Sequence, residues 1–185
     1  MKRVALLLSC IFLFGCARDT QPKINYGVAP EFSLTDQNGK TVTRRDLAGK
    51  VWIADFIFTN CAGTCPVISG TMRRLQDSLP PEIHLVSFSV DPERDTPDVL
   101  AKYAEQFRAD KGRWHFLTGG KDKLHDLSIK GFKLALDETD GTDVEPITHS
   151  TRLVLVDKDG RIRGYYGGTE DEEMKRLFKD ALKLL

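Results

Sequence analysis

The chain has 185 residues, of which 41% are hydrophobic and 29% are charged. This length is enough for one domain whose hydrophobic core needs no disulfide or metal for stability. The 27 basic and 27 acidic residues give a formal charge of zero. The sequence has no excess of basic residues that would indicate nucleic-acid binding. It also has no acidic run that would indicate a solvating tail.

The first fifteen residues have the pattern of a secretory signal peptide. Lys2 and Arg3 are followed by an apolar run at residues 4–14, which is shorter than the about 20 residues that a membrane-spanning helix needs. The run ends in LFGCARD, which is similar to the cleavage motif of bacterial lipoproteins. We predict that Cys16 becomes the acylated first residue and anchors the protein to a membrane on the extracytoplasmic side. Ordinary signal cleavage nearby is the alternative.

Three segments are therefore predicted: a signal peptide at residues 1–15, a polar tether at 16–27 and a single domain at 28–185. Loss of the two basic residues of the signal peptide leaves 25 basic and 27 acidic residues, a formal charge of −2. Cys10 leaves with the signal peptide and Cys16 carries lipid, so Cys61 and Cys65 remain as the thiols of the domain. One close cysteine pair is not needed to stabilise a domain of this size, so the pair indicates chemistry.

The central part of the chain alternates strand and helix patterns. The turn sequence QNGK predicts a hairpin, and the apolar run VWIADFIF (residues 51–58) is typical of a strand that is buried on both faces. A helix is predicted from Pro66 to residue 79, a second buried strand at 83–90, and a helix with Thr96 as its N-cap. Further strands are predicted at 114–119, 132–136, 152–156 and 161–167, with helices at 121–131 and 170–185.

This alternation predicts an α/β domain with an N-terminal β-hairpin and a central mixed sheet that is flanked by helices. The cysteine pair follows the first central strand and opens a helix. That arrangement is typical of the thioredoxin-like fold.

The spacing of the two cysteines favours either redox chemistry or metal binding. Cys65 precedes Pro66, so we expect it at the N-cap, where the helix dipole stabilises a thiolate. Both sulfurs are expected to have a pKa near neutral pH. The C-x-x-x-C spacing is wider than the usual C-x-x-C of disulfide exchangers and leaves room for a metal, although a disulfide remains compatible with it.

Copper(I) needs two or three soft ligands, whereas zinc needs four. A peroxide-reducing site is disfavoured, because Phe58 stands where a threonine or serine is required. Of the four histidines, His84, His115 and His125 lie in predicted strands or helices and are expected to be structural. His149 precedes a buried strand and is a candidate third ligand, provided that the strand runs in the right direction.

Three motifs together resemble the Sco/SenC family: FTNCAGTCP at residues 58–66, SVDPERDTP at 89–97 and THSTRLVLVDKDG at 148–160. The resemblance covers nearly the whole mature domain. The sequence departs from the family pattern at Ala62, where members often carry proline, and at Thr148, where members often carry aspartate. Neither departure removes a ligand.

The resemblance implies a thioredoxin-like copper protein outside the cytoplasmic membrane. It implies thiolate ligands from Cys61 and Cys65, an imidazole ligand from His149, and an acidic residue, Asp91, near the metal loop. We therefore expect a monomeric copper chaperone, carrying Cu(I) or Cu(II), that serves the binuclear copper site of cytochrome c oxidase or another exported cuproprotein. Two alternatives stay open: a thiol–disulfide oxidoreductase in which Cys61 and Cys65 are the redox pair, and a copper or redox sensor.

Overall fold

The computed structural model describes residues 24–134 and 150–185, together with the backbone of the strand segments 136–138 and 147–149. The predicted signal peptide and most of the predicted tether, including Cys16, lie outside the described residues. In the part of the chain that is described, no helix is long and apolar enough to cross a membrane.

The order of elements within these residues follows the predicted alternation of strands and helices. The strands are β1 (Ser33–Asp36), β2 (Thr41–Thr43), β3 (Val51–Ile57), β4 (Ile83–Ser89), β5 (Trp114–Thr118), β6 (Leu136–Glu138), β7 (Ile147–His149), β8 (Arg152–Val156) and β9 (Ile162–Gly167). The helices are α1 (Thr64–Ser78), α2 (Pro97–Gln106), α3 (Lys121–Asp126) and α4 (Asp171–Leu182), with a 3-10 turn at Arg44–Leu47 and a π-helical turn at Leu127–Gly131 after α3.

One mixed sheet of seven strands organises the domain, in the order β2-β1-β5-β4-β3-β8-β9. Strands β3, β4 and β5 run parallel, and the pairs β1–β2 and β8–β9 are antiparallel hairpins. Strands β6 and β7 form a separate two-stranded sheet. The predicted N-terminal hairpin and the parallel central strands are confirmed. Helix α2 packs beside β5 and α4 beside β9.

Strand β3 forms the centre of the core, and all seven of its residues are buried. Successive side chains of a strand point to opposite faces. On one face Phe56 stacks on Phe88 with ring centroids 5.1 Å apart and meets Phe132 edge-on at 5.5 Å. Fully burying a side chain of this size contributes roughly 1.5–3 kcal/mol. The rigid strand leads directly into the cysteine loop and therefore positions it.

Helix α1 begins earlier than predicted, at Thr64, and its N-cap is Gly63. Pro66 is the third residue of the helix, where it is tolerated because the first four N–H groups of a helix have no intrahelical acceptor. The prediction that Cys65 is the N-cap is therefore wrong: Cys65 lies inside the first turn.

The strand that was predicted at residues 132–136 also starts later than predicted, since β6 comprises Leu136–Glu138. The amide of Phe132 instead donates to the carbonyl of Leu127 at 2.8 Å, and that of Leu134 donates to the carbonyl of Ser128 at 3.0 Å. These bonds close the turn that follows α3, so the side chains of Phe132 and Leu134 enter the core from a helix end.

Candidate metal and redox site

The two cysteines lie at the carboxyl end of β3, on the loop into α1 and in the first turn of that helix. The amide of Cys61 donates to the carbonyl of Phe58 at 3.4 Å, which closes a tight turn directly after the strand. The amide of Cys65 donates to the sulfur of Cys61 at 3.4 Å. No disulfide joins the two cysteines in this structure, so both thiols are available to bind a metal or to react with an oxidant.

The two sulfurs have different exposure: Cys61 is 8% exposed, whereas Cys65 is 0% exposed. Burial raises the pKa of the Cys65 thiol well above its ordinary value, and the nearby Cys61 and Asp55 raise it further, against an opposing backbone hydrogen bond at Phe58. The prediction that both sulfurs ionise near neutral pH is therefore wrong for Cys65, because the cost of removing the thiolate from water outweighs the stabilising hydrogen bond at Phe58. A soft cation that replaces the proton would remove this cost.

Asp95 holds the loop that leads to Cys61. Its side chain is completely buried, and it accepts hydrogen bonds from the amide of Thr59 at 3.3 and 3.2 Å and from the hydroxyl of Thr59 at 2.5 Å. The hydroxyl of Ser89, at the end of β4, donates to the same carboxylate at 2.6 Å. Burial raises the pKa of Asp95, while the bonds from Ser89 and Thr59 act in the opposite direction. Asp95 lies in the VDPERDTP motif, where sequence reasoning singled out only Asp91.

Asp91 itself lies in the turn after β4. Its carboxylate pairs with Arg94 at 2.9 Å, and its amide donates to the hydroxyl of Ser89 at 3.1 Å. Both contacts are within its own turn, and the predicted role of Asp91 at the metal stays a prediction.

A second buried carboxyl lies within β3 and acts electrostatically on Cys65. Asp55 is 1% exposed and accepts a hydrogen bond from Ser87 at 2.6 Å, and its other oxygen, Oδ2, is buried with no hydrogen-bond partner among the described residues. Burial raises its pKa to about 7, partly offset by the bond from Ser87. The charge of Asp55 acts on both Cys65 and Tyr103. One charged residue within the apolar run VWIADFIF was the sequence signal that could have identified it.

The backbone of His149 lies at the end of the short strand β7, opposite Leu136 of β6. Strand β8 follows and runs antiparallel to β3, with Trp52 opposite Val156 and Ala54 opposite Val154. The entrance of β8 therefore lies at the same end of the sheet as the exit of β3, where the cysteine loop starts. The strand direction that a ligand role requires is thus present, but the side chain of His149 is outside the described part of the structure.

Among the side chains that the structure describes, no group of three or more histidine, cysteine, aspartate or glutamate residues is arranged to hold a metal ion. His84 pairs with Trp52 at the start of β3, the opposite end from the cysteines, and its ring stacks on His115 with centroids 6.4 Å apart. His125 is exposed on α3. Within the described residues, the cysteine pair is therefore the feature that fits a soft metal ion.

Comparisons with known proteins agree with this geometry. Residues 20–182 match the family model described as SCO1/SenC. A SCO1/SenC family lipoprotein from Bacillus anthracis is 32% identical, covering 85% of this chain and 94% of its own, with a TM-score of 0.77. BsSco, a member of the Sco family of cytochrome c oxidase assembly proteins with a disulfide switch, is 34% identical, covering 89% and 99%, with a TM-score of 0.74.

The copper-bound structure of Bradyrhizobium japonicum ScoI is 27% identical, covers 86% of this chain and all of its own, and has a TM-score of 0.68. The predicted thioredoxin-like fold is confirmed by these similarities in structure. The match of the family model over nearly the whole described chain leads to one conclusion: the chain belongs to the SCO1/SenC family.

Proposed function

We propose that this protein is a membrane-tethered, extracytoplasmic copper chaperone that binds one copper ion through the thiolates of Cys61 and Cys65 and the imidazole of His149. It delivers copper to the binuclear copper site of cytochrome c oxidase. The observation that carries the proposal is the unbridged cysteine pair at the end of β3, at the same end of the sheet as the entrance of β8. The copper-bound and oxidase-assembly relatives support the choice of metal and acceptor.

The environment of the two sulfurs favours a soft monovalent cation. Cys61 and Cys65 are both buried, so two unpaired thiolates would carry a large desolvation cost. Two thiolates, one Cu(I) and a neutral imidazole have a net charge of −1, and binding releases the thiol protons. Because Cys65 is held in the protonated form by burial, copper affinity should rise with pH.

Delivery proceeds by ligand exchange. A thiolate of the acceptor captures copper as the ligands of this protein release it one at a time. Oxidation of Cys61 and Cys65 to a disulfide removes both thiolates, so the redox state of the pair controls whether the protein can carry copper.

Anaerobic titration of the reduced protein with copper(I), against a chelator that reports free copper, tests the donor role. We expect one equivalent to be retained, and we expect retention to be lost in Cys61→Ser and Cys65→Ser and strongly weakened in His149→Ala. His125→Ala is the matched control, because His125 is an exposed histidine on α3. Retention of copper by the double cysteine variant would contradict the proposal.

A second candidate function is reduction of the cysteines of the acceptor. The unequal exposure of the two thiols supports it, since Cys61 is the more accessible and Cys65 is fully buried. The disulfide switch of BsSco is also in line with it. If this function is the physiological one, His149→Ala supports oxidase assembly in a strain that lacks the chromosomal copy, whereas either cysteine variant does not.

The lipid anchor at Cys16 belongs to the same proposal and is supported by the lipoprotein from Bacillus anthracis. Labelling of cells with radioactive palmitate tests it. We expect the label on the parent protein and its loss in Cys16→Ala. Equal labelling of both proteins would contradict the anchor.

A further inference from the structure

Asp95 is a buried acidic residue whose side-chain hydrogen bonds join two loops. It lies 36 residues beyond Thr59 in the chain, in the turn between β4 and α2, and its side chain is completely buried. A buried carboxylate is costly unless its oxygens are satisfied by hydrogen bonds. Its donors are the amide and hydroxyl of Thr59 and the hydroxyl of Ser89.

The hydrogen bonds between Thr59 and Asp95 restrain the backbone two residues before Cys61. Thr59 is bound at both its amide and its side chain, so neither its backbone nor its rotamer can move without breaking a hydrogen bond to Asp95. Two residues later, Cys61 closes its turn onto Phe58 and accepts the amide of Cys65 at 3.4 Å. The position of the Cys61 sulfur relative to Cys65 therefore depends on where Thr59 is held.

The exposed part of the loop provides little restraint of its own. Ala62, Gly63 and Thr64 are exposed, and Gly63 has the backbone freedom of glycine. A backbone anchor immediately before these residues limits how far the Cys61 sulfur can drift from Cys65.

We propose that Asp95 is a positioning residue that holds the Cys61 sulfur at a fixed separation from the Cys65 sulfur by binding Thr59. Its relevance to copper rests on the proposed function, whereas its effect on the dithiol does not need copper. The anchor raises the effective concentration of one thiol at the other, which favours both shared binding of a metal and closure of the disulfide.

Asp95→Ala tests this inference with two measurements. The first is the copper(I) dissociation constant. The second, on the metal-free protein, is the equilibrium constant with glutathione, in which the protein dithiol and oxidised glutathione give the Cys61–Cys65 disulfide and two molecules of reduced glutathione. The protein loses two electrons and two protons, and the glutathione disulfide takes up both. We expect copper affinity to fall about tenfold or more and the equilibrium constant for disulfide formation to fall about threefold or more.

Asp95→Asn should restore part of both losses, since its amide oxygen can still accept from Thr59. Asp36→Ala is the matched control: Asp36 is also buried and also accepts from three donors, at Asn38 and Lys40, but it is the last residue of β1 and lies outside the cysteine loop. We expect Asp36→Ala to lower the melting temperature and leave both constants within twofold of the parent. If Asp95→Ala does not fold, Thr59→Val removes the hydroxyl donor alone and should shift both constants in the same direction.

Unchanged constants in Asp95→Ala, or equal changes in Asp36→Ala, would show that Asp95 only stabilises the fold. If the parent retains no copper but Asp95→Ala alone shifts the glutathione equilibrium, the chaperone proposal fails and the positioning role stands. If the parent retains copper and neither constant responds to Asp95→Ala, the chaperone proposal stands and the positioning role of Asp95 fails.

Discussion

The sulfur of Cys61 accepts a hydrogen bond from the amide of Cys65 at 3.4 Å, so the first cysteine provides an acceptor for an N–H group in the first turn of the helix that contains the second. Cys65 lies in the first turn of α1 and is fully buried, whereas Cys61 lies in the loop before the helix and is 8% exposed. The two thiols are close in sequence but differ in access to solvent. This difference has a direct chemical consequence.

We expect iodoacetamide to modify Cys61 at least about tenfold faster than Cys65, because the reagent attacks an accessible thiolate and burial disfavours the Cys65 thiolate. The reduced protein is treated anaerobically at pH 8, and the peptides that contain each cysteine are quantified by mass spectrometry. Cys65→Ser, in which Cys61 reacts alone, is the control. Equal rates at the two cysteines would contradict the burial difference.

Gly168 packs tightly between helix α1 and the residue that precedes β8. A Cβ atom at this position would lie 2.6 Å from Cδ1 of Ile68 and 2.8 Å from the carbonyl oxygen of Thr151. We expect Gly168→Ala to lower the free energy of unfolding by about 1–3 kcal/mol, because the backbone must move to accommodate the methyl group. Urea denaturation monitored by circular dichroism measures the change.

The matched control for this substitution is Gly70→Ala. Gly70 lies within α1, and among the described residues no atom outside the adjacent backbone of the helix lies within 4 Å of an added Cβ. Glycine in a helix interior is unfavourable, so this variant should gain about 0.5–1 kcal/mol. A stabilised Gly168→Ala, or a destabilised Gly70→Ala, would show that the packing around α1 differs from that described.

Asp55 should make stability fall as pH rises from about 4 to 7. The ordinary pKa of this carboxyl is 3.8, and the fold raises it to about 7, mainly by burial. Between these values the folded protein holds a proton that the unfolded chain has lost, so the free energy of unfolding declines by up to about 1.4 kcal/mol per pH unit. We expect Asp55→Asn to remove this slope in urea denaturation series at pH 5, 6 and 7.

Asp36→Asn is the control for the Asp55 effect. Burial alone would raise the pKa of Asp36, but hydrogen bonds from Lys40 and Asn38 lower it overall below 3.8. Asp36 is therefore ionised in both states above pH 5, and its replacement should leave the slope unchanged. The Asp55 assignment is wrong if Asp55→Asn has the same slope as the parent.

His84, unlike Asp55, should make the free energy of unfolding fall as the pH drops in mild acid. Burial, followed by Lys50 and His115, lowers its pKa from 6.5 to about 4. Below pH 6.5 the unfolded chain takes up a proton that the folded protein refuses until about pH 4, so stability falls as the pH drops through this window. We expect His84→Gln to lose less stability than the parent between pH 6.5 and 4.5, by less than about 1.4 kcal/mol per pH unit because the ring is only half buried.

The control is His125→Gln, which replaces an exposed histidine on α3. Thermal unfolding across the same pH range should give the parent curve for this variant. If His84→Gln also shows the same pH dependence of thermal unfolding as the parent, then His84 is not held neutral by the fold.

Local patterns were sufficient for much of the fold. The apolar run at residues 51–58 predicted the central strand because seven buried residues in succession need cover on both faces. Thr96 and Pro97 predicted the start of α2, where the Thr96 side chain accepts the amide of Val99 at 3.4 Å. The three motifs that resemble the Sco/SenC family led to the family that the comparisons then confirmed.

Sequence by itself thus determined the element order, the cysteine pair and the family, because these depend on residue types within a few positions of each other. Tertiary structure alone decided that Cys65 is buried and protonated, that Asp95 holds Thr59, and that β8 begins at the same end of the sheet as the cysteine loop. Those relationships join residues that are distant in the chain, and they follow from strand order and direction, which local propensity does not encode.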